Sequence, residues 1–422
     1  MSVSFMVGLK SIIPVFQFFK EILIFCVLIL NVVSLKHRPR FHLVDYAIFG
    51  FLVYTFIYAI LPIGEHSFVE RLLAFKSTSF YIIVYFTGRL FDPKTIYINK
   101  YFNYIVLLTI AAGAVLAVEI LMQQQLQIYT GFADYCYYFF NIEPAGMFGL
   151  STTFESEGGY RRFASFFANP LEHAAATLLA LSVIIALFTR DDNKFKANSI
   201  GWLALGATFL SIIFSFSRAP LASYFLVIYI YALLTHKKTI TRTVHAGIAL
   251  CVAYLIYLFS QFENNHTGIL EVIINTLDFS NPSSVGHLVQ WAEGIMAMIQ
   301  SPLGLGLGTS GRVAGTLGEN IGGENQFIII GVQAGIIALL LYLAIYIMFI
   351  KTGLKWLNNL QGKERQVCMA VLLIKISFFI PLLTSEVESS SYLSYMNWFL
   401  SGLFISIIMQ PQKEQLQPVP ND

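Results

Sequence analysis

The sequence predicts an all-α, polytopic membrane protein of about eleven transmembrane helices with a large external loop late in the chain. Three observations predict it. Charged residues make up only 12% of the 422 residues and hydrophobic ones 56%, whereas roughly 25% of an ordinary soluble domain is charged. The apolar residues gather into runs of about twenty, the length that crosses a hydrocarbon core of about 30 Å. Lysine and arginine collect in every second connecting loop, as the positive-inside rule requires of a chain that crosses repeatedly.

The runs lie near 12–35, 43–63, 72–91, 103–122, 171–189, 199–217, 219–235, 243–260, 325–350, 366–384 and 392–409. The first contains Cys26 and is followed by no small-residue cleavage site, so it reads as a retained span. Lys36, Arg38 and Arg40 follow the first run, Lys94 and Lys100 the third, and Arg190, Lys194 and Lys196 the fifth. Lys237, Lys238 and Arg242 follow the seventh, and Lys351, Lys355, Lys363 and Arg365 the ninth. All of these loops then face the cytoplasm and the N-terminus faces out. The long segments near 123–170 and 261–324 lie outside, where function is expected of loops carried on a rigid scaffold. Residues 1–409 form one membrane domain; the polar, proline-containing tail 410–422 is expected to be disordered. A formal net charge of +2 leaves no footprint for a nucleic-acid partner. The cysteines at 26, 136, 251 and 368 form neither a disulfide framework nor a metal-ligand spacing.

Seven features stand out. Before the fifth run, Asn169, Pro170 and Glu172 have the pattern of a capped helix start; capping leaves the adjacent Arg161 and Arg162 unexplained, and arginine's planar fork suits phosphate or a lipid headgroup. Arg218, in Phe214-Ser215-Phe216-Ser217-Arg218-Ala219-Pro220, falls at a tight break between two spans, where an ionisable group either snorkels or faces a cavity. From Ser283 or Ser284 as cap, Val285, Leu288, Trp291, Ile295 and Met298 recur at helical spacing, with His287 near the other face as a surface residue or a proton carrier. Gly306 to Gly311 matches G-x-G-x-x-G, but no strand precedes it, so its glycines are expected to permit a tight loop, with Arg312 at its end. Glu324 precedes the ninth run, either as a helix-start acid or as a general base. Lys375 is the lone charge in the middle of its run, with Glu386 and Glu388 following at the outer end; it must face a partner or an aqueous cavity, and an internal ion pair is expected. Asp191-Asp192-Asn193 reads as a solvated turn.

Taken in order, RRFASFFANP before a span, SFSRAP at a break, SSVGHLVQW leading into SPLGLGLG, and GENQFIIIGVQAG at the ninth span resemble the O-antigen polymerase and ligase superfamily of bacterial envelope glycosyltransferases. The resemblance covers about half the chain. It implies a helical bundle in the inner membrane with a large late periplasmic loop. It implies transfer of a glycan from an undecaprenyl-diphosphate carrier to an acceptor hydroxyl, without nucleotide sugar, cofactor or metal. Arg161 or Arg162, Arg218 and Arg312 would engage the donor pyrophosphate. Glu324 would be the first candidate base and His287 the second. Ligases typically carry histidine where Glu324 stands, which favours a polymerase; many members carry arginine where His287 stands. The partners implied are the lipid-linked oligosaccharide, membrane lipid and a chain-length regulator. A ligase and a lipid-linked oligosaccharide flippase are the alternatives; the flippase would call for repeat symmetry and polar groups near the midplane.

Overall fold

Apolar, helix-favouring sequence accounts for most of the architecture. The computed structural model describes residues 2–35, 39–93, 97–140, 142–155, 160–260, 282–318 and 320–410. It is all-helical, at 76% helix, with no strand among the described residues. Lys36, Arg38, Lys94, Glu319, the part of the late loop at 261–281 and the tail from 411 lie outside the described residues, as do the side chains of Ser283, Ser284 and Cys251.

A short α1 (Ser2–Met6) precedes α2 (Ile13–Val33), α3 (Leu43–Ile60), α4 (Phe68–Thr78), α5 (Val84–Leu90) and α6 (Ile98–Met122). The first long loop contains α7 (Phe132–Phe140). Then come α8 (Pro170–Phe188), α9 (Ser199–Phe214), α10 (Arg218–Leu234) and α11 (Lys238–Ser260). The late loop carries α12 (Pro282–Gln300) and α13 (Gly311–Leu317), followed by α14 (Gln326–Trp356), α15 (Gly362–Thr384) and α16 (Ser391–Ile408).

Two runs depart from the single straight helices expected. The run at 72–91 is split at Ser79 into α4 and α5. Its Ser77, Thr78 and Ser79 carry hydroxyls that compete with the helix ladder; Ser77 donates to Glu386 at 3.2 Å and Thr78 accepts from Gln333 at 3.3 Å. The ninth run is broken at Gly335, whose φ is 81° and ψ 176°, a conformation open in practice to glycine alone.

Six helices (α3, α6, α8, α14, α15 and α16) are long and apolar enough to cross a membrane among the described residues. The core lies around α15, which packs on α8, α10 and α14, and α16, which packs on α5. Phe378, Trp398 and Phe404 are fully enclosed there. The outer helices turn large apolar side chains outward, among them Phe49, Phe56 and Ile60 on α3 and Leu107, Val118 and Leu121 on α6. A soluble helix buries such a face; here the outward apolar surface marks a membrane protein.

Contacts between loops define two ends of the bundle. At one end Arg365 donates to the Arg190 carbonyl at 2.9 Å and to Asn193, and the Gly362 amide donates to Asp191 at 2.9 Å. Asp191 and Asn193 are therefore bound to the neighbouring loop, not merely solvated, while Asp192 pairs with Lys194 at 3.3 Å in the open. The opposite end gathers the long loops: Tyr58 donates to the Leu303 carbonyl, Ser390 to Glu172, and the Arg312 amide to Glu386 at 2.7 Å.

Candidate active site

The late loop is shaped by its glycines. Gly304, Gly306, Gly308 and Gly311 all have positive φ, from 83° to 104°. The break at Gly335 leaves carbonyls of α14 without helical partners, and the loop supplies them. The Leu305 amide donates to the Val332 carbonyl at 2.8 Å and Gly306 to that of Gln333 at 3.0 Å. Gly308 donates to the Gln333 side chain at 2.9 Å, which itself donates to the Ser310 carbonyl at 2.8 Å. The G-x-G-x-x-G stretch is thus a brace for a broken helix, and these loop amides are occupied by carbonyls.

The same segment brings His287 to Glu324. α12 packs on α14, and at the crossing a Cβ on Gly294 would lie 2.2 Å from the Ile328 side chain and 3.2 Å from Gly322. Only a glycine permits that approach. It seats the turn before α14 against α12, with His287 Nδ1 3.0 Å from Glu324 Oε2. The imidazole is partly covered and the carboxylate half open, at 27% and 50% side-chain exposure. The pair is close but off the line of a hydrogen bond, a geometry that catalytic pairs commonly tighten only around substrate. Glu324 does not cap α14. Asn325 does so, accepting from the Phe327 amide at 2.9 Å and the Ile328 amide at 3.2 Å. α12 begins at Pro282, so Ser283 and Ser284 lie inside it and neither is its cap.

The arginines fall into two groups. Asn169 caps α8 as its sequence predicts, accepting from the Glu172 amide at 2.8 Å. The stretch before it lies across the end of α9: the Phe163 amide donates to the Phe214 carbonyl at 3.2 Å, and Tyr160 stacks on Phe216 with centroids 6.3 Å apart. Residues 160–163 and 214–218 are therefore adjoining segments, which carry Arg161, Arg162 and Arg218. The Arg161 guanidinium stands 4.5 Å over the Phe148 ring, and Arg218 is exposed at the start of α10. Arg312 belongs elsewhere in the contact network. Its guanidinium stands 5.4 Å over Phe140 and it acts electrostatically on Lys20. Burial raises the Glu386 carboxyl above the usual carboxylate range, opposed by the Arg312 amide and charge and by the Ser77 hydroxyl.

Two features escaped the sequence reading. Glu119, buried near the end of α6, accepts from the Leu126 and Ser165 amides, each at 2.8 Å, and so fixes the loop that bears Arg161 and Arg162. Gln127 adds bonds to the Ser165 and Phe167 carbonyls at 2.8 and 2.7 Å. The adjacent Lys20 and Glu21 interrupt the apolar α2. An acid or base inside an apolar run was the available signal in both cases. Glu388, which the sequence places at the outer end of the Lys375 run, is buried and accepts from Tyr342, Tyr346, Asn397 and Trp398.

Lys375 corrects an expectation. It is fully buried, but no carboxylate lies within ion-pair distance among the described residues. Its Nζ has no hydrogen-bond partner and stands 3.9, 4.6 and 4.8 Å over Trp398, Tyr346 and Phe349. Cation–π attraction, strongest where water is excluded, holds the ammonium instead of a direct ion pair.

No group of three or more histidine, cysteine, aspartate or glutamate residues suited to a metal occurs among the described residues. The cleft lined by Thr189, Arg190, Asp191, Gly362 and Gln366 lies at the opposite end from these side chains. No family model matches the chain, and no curated protein shows significant similarity to it.

Proposed function

We propose that the protein is a polysaccharide polymerase of the bacterial inner membrane, a metal-independent glycosyltransferase acting on undecaprenyl-diphosphate-linked repeat units at the periplasmic face. In this reading α4 and α5 form one span between them, and with α2, α3, α6, α8, α9, α10, α11, α14, α15 and α16 give eleven. The loop end of the bundle is periplasmic. The carrying observation is the 3.0 Å contact between His287 and Glu324, two residues 37 positions apart that the fold joins beside the long loops.

The chemistry follows from that pair and the arginines. An acceptor sugar hydroxyl attacks the anomeric carbon of the donor glycan; the new C–O bond forms as the bond to the diphosphate breaks. The hydroxyl proton passes to the His287–Glu324 pair. With Glu324 holding Nδ1–H, the other imidazole nitrogen is free to accept a proton, the division of labour seen in acid–histidine pairs generally. The leaving diphosphate takes the bonding electrons, and Arg161, Arg162 and Arg218 are suited to stabilise its charge through bidentate contacts. Arg312 stands apart from these three, over Phe140.

Surface glycan from cells lacking the gene tests the reading. Single repeat units on the lipid A core, with long chains lost, are the expected result. Long chains left on the polyprenyl carrier beside a bare core would make the protein a ligase, and repeat units trapped in the cytoplasm would make it a transporter; either outcome overturns the polymerase.

A further inference from the structure

Lys20 lies seven residues into α2, about 10 Å along the helix at 1.5 Å per residue. A charge at that depth on an apolar helix needs partners, and it has them. The Glu21 carboxylate, almost enclosed at 9% side-chain exposure, meets Lys76 at 2.9 Å and Lys20 at 3.9 Å. Arg312, Lys76 and Glu172 also act on the Lys20 charge. Three cations from α2, α4 and α13 thus share one neighbourhood.

Three carboxylates lie nearby, and two of them spend oxygens on neutral donors. Glu21 is one carboxylate facing two ammoniums. Glu172 is engaged by the Ala168 amide at 3.2 Å and the Ser390 hydroxyl, and Glu386 by the Arg312 amide at 2.7 Å and the Ser77 hydroxyl at 3.2 Å. Each cation stands over an aromatic ring: Lys76 over Phe18 at 4.2 Å, Arg312 over Phe140 at 5.4 Å, Lys20 over Tyr395 at 5.9 Å. Lys20 also donates to Ser391 at the first residue of α16. That helix start has no side-chain cap, so its amides add positive potential. Lys20 and Lys76 remain reachable, at 40% and 30% side-chain exposure. Phe19, Ile22 and Leu23 of α2 expose an apolar surface alongside.

We propose that Lys20, Lys76 and Arg312 form a binding site for the anionic phosphate or diphosphate of a lipid, whose hydrocarbon lies along the exposed face of α2. Ammonium and guanidinium groups supply the charge for phosphate, and the adjoining apolar helix face selects a lipid-borne phosphate over a free one. The site uses other residues than Arg161, Arg162 and Arg218, and it stands without the polymerase reading. A resident anionic phospholipid and a polyprenyl diphosphate share this chemistry.

The test is native mass spectrometry of the full chain in phosphatidylcholine nanodiscs titrated with phosphatidylglycerol, with undecaprenyl diphosphate or with inorganic phosphate. The wild type is expected to retain an anionic phosphate lipid, and Lys20→Gln/Lys76→Gln and Arg312→Gln to bind it about tenfold more weakly, while Lys194→Gln at the opposite end is unchanged. Preference for phosphatidylglycerol identifies a resident lipid and preference for the diphosphate a substrate; both support the site. Wild-type binding no tighter than to phosphatidylcholine, equal binding of inorganic phosphate, or unchanged affinity in the variants overturns it. Should the double glutamine variant fail to fold, Lys20→Arg/Lys76→Arg, which keeps the charge, must retain binding, and the exposed Arg312→Gln must lose it.

Discussion

At the scale of single residues, the structure separates candidates that the sequence weighs alike. Glu324 had two readings, helix-start acid or base. Asn325 takes the cap and leaves Glu324 on His287, so Glu324→Gln is expected to lose polymer synthesis by about two orders of magnitude while Glu324→Asp keeps part of it. Equal polymer from all three in a complementation gel would remove Glu324 from the chemistry. Arg218→Ala is expected to abolish polymer with normal expression; retained long chains would take Arg218 out of the site. Lys375 carries the opposite lesson. With three rings around its ammonium and no direct carboxylate partner, Lys375→Met keeps the volume and removes a buried charge. Its charge also acts on the buried Glu388 carboxylate, which the variant would leave uncompensated, and stranding one buried charge is strongly destabilising. The thermal midpoint of Lys375→Met is therefore expected to fall by several degrees, and an unchanged midpoint would show that the ammonium contributes nothing to folding.

At the scale of elements, the broken α14 and its glycine brace form one device. A Cβ on Gly335 would lie 2.5 Å from the Leu303 carbonyl carbon and 2.6 Å from the Pro302 oxygen. Its backbone is also outside the range of L-residues. Gly335→Ala is expected to cost about 2 kcal/mol or more and to loosen the loop that carries Arg312. Gly206→Ala in α9, whose new Cβ meets nothing within 4 Å, is the matched control and is expected to be neutral or slightly stabilising. Similar loss of thermal stability in both would refute the brace. The glycine pattern was visible in the sequence as a tight loop; that it answers a break thirty residues later was not, because a helix break depends on what packs against it.

At the scale of the whole molecule, the cationic loops set the expected orientation. Arg190 and Arg365 meet at one end, as the alternation of charge requires, and the long loops meet at the other. Single cysteines in a chain with its native cysteines removed test the topology. Thr316→Cys is expected to react with an impermeant maleimide in intact spheroplasts, and Lys194→Cys only after permeabilisation. Both positions are exposed, so reversed labelling would invert the topology and place the His287–Glu324 pair on the cytoplasmic side.

The sequence by itself determined the helical class, the apolar runs, the capped start of α8 and the clustering of cations in alternate loops. These are local or periodic properties, set by neighbours within a turn or by the solvent on either side. The tertiary structure alone decided which polar groups meet. His287 reaches Glu324 because Gly294 lets two segments touch, Lys375 lies among rings from α14 and α16, and Lys20 and Lys76 converge on one carboxylate from different helices. In an apolar bundle a charge must find its partner across helices, and that partner's place in the chain leaves no mark at the charge's own position.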